Sequence, residues 1–170
     1  MNERVSEYRD WQKGRGPIVH SVETVERVHG LVTRLVKDGR VASEEAAYAL
    51  LSAADCLACV AMNVVAHMTY ARRMDLSGAP LLAEDFKSTP EGHTGGSLNM
   101  VPAFVGYLLA NALTGKTRGW VMEQGHCVAA IEAINTLTGD VSMAQKGRYD
   151  RSEAGLSRLV QDFYSYAMDA

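Results

Sequence analysis

The 170-residue chain has little cysteine, little proline and no strong charge of one sign. Its three cysteines, Cys56, Cys59 and Cys127, are too few and too unevenly placed for a disulfide framework, which agrees with a reducing compartment. Cys56 and Cys59 form a C-x-x-C pair inside an alanine-rich helical run. No second pair and no histidine stands at zinc spacing, so they are read as two buried helix cysteines. The stretch Met1–Gly14 is polar and lacks the apolar core of a signal peptide, and no uninterrupted apolar window reaches the roughly 18 residues that span a bilayer. A cytoplasmic protein without a membrane partner is expected. Seventeen Lys and Arg against 20 Asp and Glu leave a net charge of −3, which recommends no nucleic-acid partner and requires any anion to be held by a local site.

What is present is 47% hydrophobic residues, enough for one sizeable core. Residues 1–20 carry Trp11 and Gly14-Arg15-Gly16-Pro17 without sustained periodicity and read as an arm. Ser21 is an N-cap candidate, and Val22, Val25, Val28, Val32, Leu35 and Val36 then recur at helical spacing as far as Asp38-Gly39. Ser43 with Glu44 and Glu45 opens a second helical run, rich in Ala, Leu, Met and Val, to Met74. Asp75–Pro90 is a long loop. Met100–Leu113 is helical, with Pro102 tolerable near its start. Trp120-Val121-Met122 reads as a short buried strand, Cys127–Leu137 as a helix, and Ser152-Glu153 as the cap of a last helix with Leu156, Leu159, Val160 and Phe163 on its apolar face.

Two Gly-His turns carry the chemistry. In the first, Glu91-Gly92-His93-Thr94-Gly95-Gly96-Ser97-Leu98-Asn99-Met100, glycine lets backbone approach a ligand and the following helix start offers N–H groups to a phosphate or an oxyanion. A histidine there can donate to a hydroxyl or move a proton near neutral pH. The second, Glu123-Gln124-Gly125-His126, follows the expected strand and precedes a helix. The two histidines are 33 positions apart, and a shared site predicts that their imidazoles lie within roughly 10–12 Å, a span that one small substrate bridges.

These segments resemble thiamine-diphosphate-dependent enzymes. Gly92-His93-x-Gly95-x-x-Leu98-x-Met100-x-Pro102-Ala103 is similar to the Gly-His-Pro-Gly segment of transketolases, with Thr94 in place of Pro, and Gly125-His126 is similar to their second histidine turn. Leu98-Asn99 and Glu153-Ala154-Gly155-Leu156 leading to Phe163 resemble phosphoketolases. From about Val22 to Ala170 the chain resembles the start of longer phosphoketolase-like proteins described as xylulose 5-phosphate 3-epimerases. The resemblance implies an α/β fold, of which this would be the N-terminal, largely helical part with an incomplete sheet, spanning 21–170. It implies thiamine diphosphate and Mg²⁺ as cofactors of the complete enzyme. His93 and His126 would be catalytic, Gly92, Gly95 and Gly125 would lie at the cofactor, and His93, Asn99 and His126 would meet the sugar phosphate.

The family's Gly-Asp-Gly metal segment has no counterpart here, since Gly139-Asp140-Val141 lacks the second glycine, and its activating glutamate lies in a separate downstream domain. Weak cofactor binding by this chain alone is therefore expected, together with self-association or a complementing C-terminal chain. A non-catalytic helical interaction module, or one subunit of a split enzyme, is the alternative. His20, His29 and His67 read as structural. Asp85, Lys87 and Glu91 could shape the rim of the site, and Arg148, Arg151 and Arg158 read as partners of Asp150, Glu153 or Asp162.

Overall fold

Helix capping and apolar spacing account for nearly all the regular structure. The computed structural model describes residues 6–164, so positions 1–5 and 165–170 of the two expected segments lie outside the described residues. Among the described residues seven α-helices follow one another: α1 (Ser6–Gln12), α2 (Val22–Lys37), α3 (Glu44–Tyr70), α4 (Thr94–Thr114), α5 (Val128–Thr138), α6 (Met143–Arg148) and α7 (Glu153–Asp162). Short 3-10 turns lie at Ala83–Asp85 and Gly125–Cys127.

Among the described residues there is no strand and no sheet, only isolated bridges between Arg15 and Ile18 and between Ala71 and Phe86. The expected α/β architecture is corrected to a helical one. Trp120–Met122 has no regular structure. A strand needs a neighbouring chain for its N–H and C=O groups. Instead Trp120 stacks on Phe104 of α4, with ring centroids 4.4 Å apart and planes inclined by 26°, while Val121 is 91% exposed.

The chain divides into two compact units, one of Met1–Cys59 with Phe104–Val121 and one of Val60–Ala103 with Met122–Ala170. In the first, Ser21 Oγ accepts from the Thr24 N–H at 3.1 Å and starts α2. The α2 residues Val25 and Val32 are buried with Ala47 and Tyr48 of α3 and with Tyr8 and Trp11 of α1. The N-terminal arm thus contributes a helix to this core. His29 Nδ1 lies 2.9 Å from the Tyr48 hydroxyl, and His20 stacks on Trp11 with its Nε2 2.8 Å from Asp55. Of Cys56 and Cys59, both expected to be buried, the first is exposed and the second only partly buried, and all three cysteines are free.

In the second unit α6 forms within what read as a polar link, because Ser142 and Gln145 cap it reciprocally. Gly139 adopts φ 77° and ends α5. Ser152 caps α7, and Leu156, Leu159, Val160 and Phe163 are all buried. Arg148 Nε and the Tyr149 hydroxyl both donate to Asp162 at 2.9 Å.

One expectation about α4 is also corrected. α4 begins at Thr94 rather than near Met100, so Pro102 lies in its interior. α3 and α4 are long and apolar enough to cross a bilayer by length and composition, a test that the core helix of a soluble protein also passes. Single polar residues such as Asp55 and Asn63 break up the apolar runs without removing that character.

Candidate functional site

The two Gly-His turns meet in the second unit. The rings of His93 and His126 pack edge to face with centroids 4.8 Å apart and planes inclined by 67°, well inside the expected span. Both side chains are exposed.

His93 is the residue just before α4, and its carbonyl accepts from the Ser97 N–H at 3.1 Å as the helix begins. Its Nδ1 accepts from the Gly96 N–H at 2.9 Å. The imidazole thus takes the capping role that Ser or Asp usually fills. An N–H donor on Nδ1 fixes the tautomer: the neutral ring carries its proton on Nε2, which is free to donate to a ligand oxygen. His126 sits in the Gly125–Cys127 turn, and its carbonyl accepts from Ser97 Oγ at 3.3 Å. Ser97 is fully buried, so it ties the second turn to the first turn of α4.

Gly96 is what lets the rings meet. A Cβ on it would stand 2.7 Å from His126 Cδ2 and 2.7 Å from His93 Nδ1. Nothing in the types of Gly96 and Ser97 alone marks them as part of the site. The signal was there in the spacing, since Gly96 is three residues past a capping position, where the cap's acceptor finds its donor.

The remaining predicted residues divide. Asn99 is exposed on α4 three residues after Gly96, hence on the same helical face one turn on. Gly95 is exposed, and a Cβ there would only touch His93 Cε1 at 3.9 Å. Gly92 has φ 113°, and a Cβ would press on Phe163 at 3.1 Å and on Thr69 and Tyr164 at 3.3 Å, so its small size serves close packing as the chain turns toward His93. Gly125 has open space around it. Thr94 Oγ1, at the start of α4, is buried without a hydrogen-bond partner.

Of the expected rim residues, Asp85 is engaged by Arg73, whose Nε and Nη2 reach its two oxygens at 2.7 and 2.9 Å. That fork holds the Asp85 carboxyl below its ordinary range. Asp75 is held down to about 2, first by the Ser77 hydroxyl and then by Arg73. Lys87 Nζ donates to the carbonyl oxygens of Met68 at 2.6 Å and Phe163 at 3.4 Å. Burial lowers its pKa, and the charge of Glu91 partly offsets this.

Chemically, the pair offers one fixed N–H donor and, beside it, a second imidazole able to donate, accept or move a proton. Among the described residues no three His, Cys, Asp or Glu side chains stand together to hold a metal ion. Mg²⁺ is bound through carboxylates and phosphate oxygens, so these residues do not fit the metal-diphosphate end of thiamine diphosphate. Comparison with protein-family models, with curated proteins and with solved structures finds no match.

Proposed function

We propose that the chain supplies the sugar-hydroxyl and oxyanion site of a thiamine-diphosphate-dependent enzyme acting on ketose phosphates such as xylulose 5-phosphate, of phosphoketolase or epimerase type. The carrying observation is the edge-to-face meeting of His93 and His126 over Gly96. It supports the reading because the two turns that resemble the family are those whose rings converge. In it, His93 Nε2–H donates to a substrate oxygen, and His126 hydrogen-bonds a neighbouring hydroxyl or carries a proton. The metal and the diphosphate belong to a complementing polypeptide, and no step through the cofactor is assigned to these residues. A cytoplasmic location goes with this reading, supported by three free cysteines.

The test is an NMR titration of the imidazole resonances with xylulose 5-phosphate. Both rings are expected to shift along one saturation curve, with no turnover and weak thiamine diphosphate binding when Mg²⁺ is present. Rings that do not move, or that move with different affinities, sink the shared site. Micromolar affinity for thiamine diphosphate by this chain alone would place diphosphate ligands among its own residues.

The helicity of the described residues supports a second reading, a helical interaction module. A monodisperse monomer in sedimentation, with neither ring responding to sugar phosphate, would put that reading first.

A further inference from the structure

The Ala71–Phe86 bridge is antiparallel, with the Arg72 N–H on the Asp85 carbonyl at 2.7 Å and the Lys87 N–H on the Tyr70 carbonyl at 2.9 Å. Side chains alternate along paired extended backbone, so Arg72 and Lys87, each one residue from the bridged pair, project to the same face. Both line an open cleft of about 400 Å³. Ser88, Thr89, Phe163 and Tyr164 line it too, with the two aromatic rings packed edge to face at 4.6 Å.

The two cations of this cleft form no ion pair, although the charge of Glu91 on the same cleft acts on Lys87. Arg73, next in the chain, is fully engaged by Asp85 and Asp75. Arg72 Nε meets only the Phe86 carbonyl at 3.1 Å, and half-buried Lys87 meets only carbonyl oxygens and the Phe163 ring, its Nζ 6.0 Å from the centroid. Among the described residues no carboxylate lies within ion-pair distance of either cation. Backbone carbonyls hold an ammonium in place without neutralising it. Two cations beside two hydroxyls form a donor set suited to phosphate oxygens. Glu91, on the same cleft, supplies an acceptor rather than a donor, which suits a hydroxyl on the group that the phosphate carries.

We infer that this cleft binds the phosphate monoester of a small polyol, with the phosphate on Arg72, Lys87, Ser88 and Thr89, a hydroxyl on Glu91, and the carbon skeleton against Phe163 and Tyr164. The assignment stands on the cleft alone, whether or not the imidazole pair binds a ketose.

The experiment is an amide NMR titration with inorganic phosphate and with glycerol 3-phosphate at constant ionic strength, on the wild-type chain, Arg72→Gln and Lys87→Met. Saturable shifts are expected at the amides of residues 87–91 and 161–164. Losing one charge-assisted contact should weaken both probes about tenfold or more. Because Lys87→Met also removes bonds to Met68 and Phe163, the exposed Arg72→Gln is the decisive variant. Absence of saturation, or unchanged affinity in Arg72→Gln, overturns the site. Glycerol 3-phosphate binding no more tightly than inorganic phosphate overturns its assignment to a polyol ester.

Discussion

Gly96 separates the needs of the site from the needs of the fold. Its missing side chain leaves room for two exposed imidazoles, yet it lies inside α4, where alanine is favoured by about 1 kcal/mol. Gly96→Ala is therefore expected to leave thermal stability nearly unchanged, the helix gain of about 1 kcal/mol offset by loss of the His93 cap, while the rings part and the shared response to xylulose 5-phosphate disappears, as melting and ring-resonance titration together would show. Glu132, half-buried on α5, presents the opposite case of a residue that works against the fold. Burial raises its carboxyl pKa. An acid whose folded pKa lies above the unfolded one penalises the fold when ionised, fully above the folded pKa and not at all below the unfolded one. Glu132→Gln should therefore raise the melting midpoint at neutral pH, and the gain should vanish at about pH 4 and below. At this scale the sequence was legible for His93 and His126 as types of residue at the heads of turns. Gly96 was only partly legible: its spacing of three from His93 is in the sequence, but only the folded helix start shows that a histidine caps there and which glycine the rings touch.

At the scale of the element, the caps were legible and the helix lengths less so. Ser21, Ser43 and Ser152 each accept from an amide three residues on, because a short oxygen-bearing side chain in extended backbone reaches that donor wherever a helix begins. The start of α4 was misplaced because Gly95 and Gly96 weigh against helix, whereas the His93 cap and the Ser97 links outweigh them locally. The three-residue apolar run Trp120–Met122 has no period of its own to separate strand from loop, and Phe104 decides where the indole goes. Pro102 follows from the same misplacement, since deep in α4 it leaves the Leu98 carbonyl without its N–H donor. As Pro102 is exposed, Pro102→Ala should stabilise the chain by about 1–3 kcal/mol in urea unfolding, less whatever chain entropy proline removes from the unfolded state.

At the scale of the whole molecule, the described residues leave much apolar surface uncovered. Tyr70, Leu76, Leu82 and Phe86 are each about half exposed, and an almost wholly apolar groove of about 210 Å³ runs between His67, Tyr70, Leu81 and Phe86. Apolar patches of this kind favour association, so sedimentation at low micromolar concentration is expected to show a dimer or larger species. A monomer that binds no hydrophobic dye would count against it. The fold class was the least legible feature: the helical patterns were plain, but the sheet was inferred from resemblance and from one apolar run that found no partner. The Ala71–Phe86 bridge has one more consequence. Together with the Arg73–Asp85 fork it clasps both ends of the segment between them, while Gly78, Ala79 and Pro80 at its far side are exposed. A segment whose ends are tied to each other tolerates length at its tip, because each doubling of a loop adds only about 0.6 kcal/mol of closure entropy. The position after Pro80 is thus a natural splice point, where a fluorophore-binding tag or a short foreign peptide could be threaded into the chain without disturbing either imidazole.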